Sequence, residues 1–67
     1  NDQDMSLFAV GDRGVARTRL ALIGEALING KVVEVKSEDG FIDEREEIEI
    51  IRISGDSIFV EKVNDCK

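Results

Sequence analysis

The residue types that could do chemistry in this 67-residue chain are few, and none of them converge. Histidine is absent and Cys66 is the single cysteine, so a zinc site, which is built largely from those two ligands, is not expected. Alone and one residue from the end, Cys66 reads as an idle thiol that forms no disulfide, in keeping with a reduced, cytoplasm-like setting. Without histidine a serine nucleophile has no imidazole base. Ser6, Ser37, Ser54 and Ser57 fall in the polar lead-in or in turn clusters, where serine serves local hydrogen bonding. The carboxylate pairs Glu44 with Glu46 and Glu47 with Glu49 have no cleft to tune them as an acid and a base, and read as a solvated face. Gly11-Asp12-Arg13-Gly14 lacks the spacing and helix start of a phosphate-binding loop. Ser37-Glu38-Asp39-Gly40 does not continue at the alternating positions of a calcium loop. No catalytic residue, metal ligand or cofactor is therefore expected.

Charge narrows the partners. The net charge is −6, with nine Lys and Arg residues spread thinly and only a loose group at Arg13, Arg17 and Arg19. Nucleic-acid phosphates are bound by cation neutralisation, so nucleic acid is an unlikely main ligand, and an anionic membrane surface is disfavoured for the same reason. No apolar run approaches the roughly 20 residues that cross a bilayer, and no signal peptide opens the chain. A start at Asn1 is what a piece of a longer protein would show.

The elements that would hold any site are strands. Asn29-Gly30 is the strongest local signal, because both residue types tolerate the positive φ of a two-residue type I′ turn. Counting outward pairs Ile28 with Lys31, Leu27 with Val32 and Ala26 with Val33, which puts Ala26, Ile28, Val33 and Val35 on a core face. Gly14 to Leu20 alternates as a first strand. Ser37 to Gly40 reads as a turn, after which Phe41-Ile42 is expected to plug a barrel end. Ile48 and Ile50 alternate with glutamates before the apolar phase moves to Ile51 and Ile53, as a β-bulge would cause. Ser54 to Ser57 is a second hairpin turn, followed by the inward pair Ile58 and Val60. A short helical stripe through Leu20, Leu22, Ile23 and Leu27 is the alternative for one segment, and Gly24 interrupts it.

Turns at intervals of about 8 to 12 residues predict an all-β fold. In so short a chain closure hides the sheet edges, which favours a five-stranded OB-fold barrel with little or no helix. The expected organisation is a disordered or loosely packed lead-in over residues 1–10, a barrel over 11–63 and a flexible tail over 64–67. Of the lead-in, Leu7, Phe8 and Val10 could fold back onto the domain. The chain then reads as a non-catalytic protein-interaction module. Leu27, Val32, Phe59 and Val63 lie away from the core face and are the candidate partner-binding residues. Single-stranded nucleic acid, bound by Arg13, Arg17, Arg19 and Lys31, is a second reading. A biotinyl- or lipoyl-type carrier is a third, weakened because Lys31 and Lys36 lack the residues that flank a modified lysine.

The order of these motifs resembles the soluble C-terminal domain of the NfeD-like membrane protein family. The resemblance is carried by Gly11 to Ala16 with Thr18 and Leu20, by Gly24-Glu25-Ala26 with Ile28-Asn29-Gly30-Lys31, by Gly40-Phe41-Ile42, and by the hairpin from Ile48 to Val60. Together these cover residues 11 to 63. The proline common before the second-strand glycine is replaced by Ala21-Leu22-Ile23, and the glycine that usually follows the third motif by Asp43-Glu44-Arg45. The resemblance implies an OB-fold tethered after membrane helices, the domain on the cytoplasmic side, with stomatin-, prohibitin- or flotillin-like scaffold proteins or an associated membrane protease as partners. Longer members carry a separate ClpP-class serine protease domain, none of whose residues are in this chain.

Overall fold

The computed structural model describes residues 5–63. The expectations for residues 1–4 and for the tail, Cys66 included, lie outside the described residues. One 3-10 turn, η1 (Met5–Leu7), precedes β1 (Arg13–Ala16), β2 (Leu20–Ile28), β3 (Lys31–Ile42), β4 (Glu47–Ser54) and β5 (Ser57–Lys62). The strands close into a barrel in the order β1-β2-β3-β5-β4, with β1 pairing both β2 and β4. All pairs are antiparallel except β3 with β5, which meet in parallel at Lys36↔Phe59 and Ser37↔Val60. This is the small five-stranded barrel expected from the alternation.

The β2–β3 hairpin has the expected register, with Ile28 opposite Lys31, Leu27 opposite Val32 and Ala26 opposite Val33. Asn29 and Gly30 have φ of 56° and 76°, the two left-handed residues that match the turn to the twist of its strands. Ala26, Ile28, Val33 and Val35 all point into the core, joined there by Ala16, Leu20, Ile42, Ile48, Ile50, Ile58 and Val60. Short and β-branched side chains suit a narrow cylinder, where close packing makes even one methyl group matter to stability. In β4 the pairing skips from Ile50↔Val60 to Arg52↔Phe59, so Ile51 is the extra residue of the expected bulge.

Three details depart from the sequence reading. The first strand stops at Ala16, and Arg17 to Arg19 form a connection to β2 rather than continuing the strand. The amides of Arg17 and Thr18 donate to the Glu25 carbonyl at 2.9 and 3.3 Å, and the Glu25 amide donates to Thr18 Oγ1 at 3.1 Å. These bonds fold the chain back on itself. Residues 37–40 form an excursion within β3 rather than a turn between strands. The Ser37 hydroxyl donates to the Gly40 carbonyl across it, and Gly40 has φ of 91°. Between Ile23↔Lys36 and Ala21↔Phe41 the pairing advances two residues on β2 and five on β3, which changes the phase of β3. Ile42 therefore turns inward and Phe41 outward, so only half of the Phe41-Ile42 pair enters the barrel.

The aromatic that joins the core is Phe8, while Leu7 and Val10 stay exposed. The segment carrying it is held by the hairpin turn. Asn29 Nδ2 donates to the Leu7 carbonyl and to Asp12 Oδ2, each at 3.0 Å, and Asp12 Oδ2 also accepts from the Ala9 amide at 3.0 Å. Gly11 and Asp12 then continue onto β4, with Gly11 N donating to the Ile50 carbonyl and Ile50 N to the Asp12 carbonyl. Asn29 thus supplies both a turn conformation and a clasp on the lead-in.

The barrel closes where β1 is squeezed between two neighbours. A Cβ on Gly14 would stand 2.2 Å from the Leu27 carbonyl oxygen and 2.5 Å from Ile28 Cγ1, and the first of these is backbone that cannot swing away. Gly14→Ala is therefore expected to lower stability by about 1–3 kcal/mol or more, read as an earlier urea midpoint. Asn29→Gly retains the turn but deletes both clasp bonds, and a loss of about 1 kcal/mol is expected, with faster amide exchange at Ala9 as its local signature.

Candidate functional site

A barrel wall alternates, so the side chains excluded from the core form the working surface. On β1, β2 and β3 the register sets Val15 opposite Leu27 and Leu27 opposite Val32. The three make one row across three strands, exposed by 41%, 41% and 47% respectively. The row has a charged border. Glu25 faces Glu34 two positions along the hairpin, and on the β4 side Glu47 pairs with Val15 in register while its carboxylate lies 3.7 Å from Arg13. No aromatic ring lies on the row.

Of the four candidate residues, the structure brings Leu27 and Val32 together as cross-strand partners and leaves the other two elsewhere. Phe59 is half-buried on β5, with the Arg52 guanidinium 4.1 Å from its ring centroid and Lys36 Nζ at 5.9 Å. Arg52 is itself held by Glu38, with Nε at 3.1 Å, and Lys36 donates to Ser57 Oγ at 3.1 Å. The ring is thus flanked by tethered cations, an arrangement worth about 0.5–1 kcal/mol at an exposed site. Val63 follows β5, half-buried, and its amide donates to the Glu47 carbonyl at 2.9 Å. Val15 was missed by sequence reasoning. Its outward position was legible in the alternation with Ala16, but only the register shows that it extends the Leu27–Val32 pair.

A second outward group was also missed. Leu22 and Ile23 are both exposed, and so is Phe41, which the register places opposite Ala21 beside them. The signal was available as the aliphatic pair that breaks alternation ahead of Gly24. The Arg19 guanidinium lies 5.4 Å from the Phe41 ring centroid.

The surface offers little for catalysis or for phosphate. Ser37 and Ser57 have their hydroxyls engaged as described. Among the described residues no three Asp, Glu, His or Cys side chains gather where a metal could be held, and no buried side-chain polar atom lacks a partner. An open depression of about 220 Å³ is lined by Ser37, Phe41, Ile42, Glu61 and Lys62, and Lys62 there is paired with Glu46 at 3.7 Å. The cations proposed for a nucleic-acid groove do not form one. Arg13 is beside Glu47, and Arg17 and Arg19 precede β2 while Lys31 follows it, so they flank opposite ends of a nine-residue strand.

Arg52→Ala is expected to lower stability by less than about 1 kcal/mol, since its ion pair with Glu38 is exposed and the ring it faces is only half-buried. Shifts of the Phe59 ring protons in NMR should register the lost cation while the barrel remains intact.

No protein-family model matches the chain, and no curated protein matches it. Solved structures do. The C-terminal domain of a stomatin operon partner protein from Pyrococcus horikoshii superposes with a TM-score of 0.77 at 19% identity, covering 84% of this chain and 89% of that one. The soluble domain of a Corynebacterium glutamicum membrane protein implicated in regulation of membrane protease activity superposes with a TM-score of 0.71 at 27% identity, covering 79% and 89%. Both neighbours are single domains of larger proteins, and their fold is the fold of this chain. The resemblance to the NfeD-like C-terminal domain, read first from turn glycines and alternating aliphatics, is thereby borne out. Among the described residues no helix is long and apolar enough to cross a membrane.

Proposed function

We propose that this NfeD-like barrel is a non-catalytic docking module of a membrane protein, and that it engages a stomatin-like scaffold protein through the row Val15, Leu27 and Val32. The observation that carries the reading is the row itself. Three aliphatic side chains, aligned by strand register and left partly open to water, gain free energy when a partner covers them, at roughly 25 cal/mol per Å² of apolar surface removed. The β2–β3 face is also where OB-fold barrels commonly take their ligands. Single-stranded nucleic acid needs stacking rings and a continuous cationic track there. This face has aliphatic side chains and a glutamate border instead, which suits a protein surface with apolar anchors and a basic rim. The neighbour from Pyrococcus horikoshii, as the product of a stomatin operon, supports the choice of partner class. The neighbour implicated in protease regulation supports a regulatory rather than catalytic role beside a membrane. On this reading the domain is tethered at the cytoplasmic side, and Phe59 and Val63 lie outside the main contact.

Co-purification with a stomatin-like protein encoded in the same genome tests the assignment. Val32→Glu and Leu27→Glu leave the barrel folded, because both positions face water, and each is expected to reduce capture at least about ten-fold, equivalent to about 1.4 kcal/mol. Capture unchanged by both substitutions removes this row from the interface. Tight binding of labelled single-stranded oligonucleotides at low salt would move the function to nucleic acid.

A further inference from the structure

The bulge in β2 presents a surface that the docking row does not use. We infer that Leu22, Ile23 and Phe41 form the centre of a pairing surface for a second copy of this chain. Leu22 has φ of 81°, a left-handed conformation that is unfavourable for a branched side chain and persists only where the surrounding structure imposes it. The bend at Leu22 lies between Leu20, whose side chain folds over Gly24 into the core, and the rest of β2. It turns Leu22 and Ile23 outward in succession, 63% and 51% exposed, next to a Phe41 that is 66% exposed. A strained backbone that displays apolar side chains to water has a use when something covers them.

The charges around this group identify the occupant. Arg17 and Arg19 lie on the connection entering β2. The Arg45 amide donates to the Ala16 carbonyl at 2.7 Å, and the Ala16 amide donates to the Glu46 carbonyl at 3.0 Å. These bonds bring the β3–β4 loop, with Asp43, Glu44 and Arg45, beside the end of β1. The ion pairs formed among the described residues are Arg13 with Glu47, Arg52 with Glu38 and Lys62 with Glu46. Arg17, Arg45, Asp43 and Glu44 take no part in them. One border therefore displays both signs without internal neutralisation. A two-fold axis sets a surface against its own reversed image, so each guanidinium can meet a carboxylate of the other copy around an apolar centre. An anionic bilayer or an acidic peptide would instead confront Asp43 and Glu44.

So small a patch supports a low-affinity pair, and the measurement must reach high concentration. Sedimentation equilibrium of the 67-residue chain, from about ten micromolar to about one millimolar, is expected to show a mass rising from 7.4 kDa towards twice that value, a range that spans weak association constants. Leu22→Gly removes the side chain and relieves the φ strain, so the barrel keeps or raises its melting temperature while association weakens at least about ten-fold. Phe41→Glu is expected to weaken it as much, whereas Val32→Glu leaves it unchanged, which separates this surface from the docking row. On dilution, amide shifts should move at Arg19, Leu22, Ile23 and Phe41. A monomer mass at every concentration overturns the proposal, as does association that survives both substitutions or dilution shifts that fall on Val15, Leu27 and Val32. Sedimentation of the monomer with phosphatidylglycerol vesicles, lost in Leu22→Gly, would overturn it in favour of a bilayer.

Discussion

The close approach of β1 to β2 at Gly14 is the constraint on which the rest of this molecule depends. A four-residue strand must hydrogen-bond to β2 along one edge and to β4 along the other, and it can do so only if the backbones come nearer than any side chain at that position permits. With that contact the sheet closes, its inner face becomes a dry cylinder of aliphatics, and the backbone donors and acceptors of the outer strands are paired. Without it the same strands would form an open sheet whose edges invite pairing with other chains. In a chain this short, which buries only roughly 60% of the surface its unfolded form exposes, closure supplies much of what larger domains obtain from core volume.

A core filled by alternation leaves the outward positions free to diverge, and they divide the surface into areas of different chemistry. The β1–β2–β3 wall carries an aliphatic row bordered by glutamates. The β3–β5 wall carries Phe59 flanked by Lys36 and Arg52, where side chains satisfy one another. The β2 bulge and the β3–β4 loop carry apolar groups with charges of both signs. A net charge of −6 says little about any one of these areas. It favours general solubility of the barrel, while local arrangement decides what can dock.

Much of the barrel was legible in the sequence because its determinants are local. Asn29-Gly30 fixed a turn type, the turn type fixed the register, and the register sorted Ala26, Ile28, Val33 and Val35 from Leu27 and Val32. The phase change from Ile50 to Ile53 announced a bulge, and the pairing confirmed it. What could not be read depended on contacts distant in sequence. Phe41 faces water because three extra residues in β3 shift its phase against β2, and nothing in the stretch from Ser37 to Ile42 states where β2 will be. Phe8 joins the core because Asn29, 21 residues away, and Asp12 hold its segment. Arg17 to Arg19 continue an alternating pattern yet leave the strand, since Glu25 and Thr18 offer them hydrogen bonds in another direction. For the candidate surface, alternation identified outward residues but could not say which of them are neighbours. Leu27 and Val32 were recognisable as a pair from the hairpin, whereas Val15 joins them through a strand pairing that no turn dictates.

The parallel meeting of β3 with β5 is short, two register pairs long, against eight in the β2–β3 hairpin. A cylinder sewn unevenly does not open evenly. With so little backbone ladder, the amides around Lys36, Ser37 and Val60 lean on side-chain packing across the seam more than those of the long hairpins do. The excursion from Ser37 to Gly40 begins at the same place, so the shortest ladder in the wall ends where β3 leaves its register with β2.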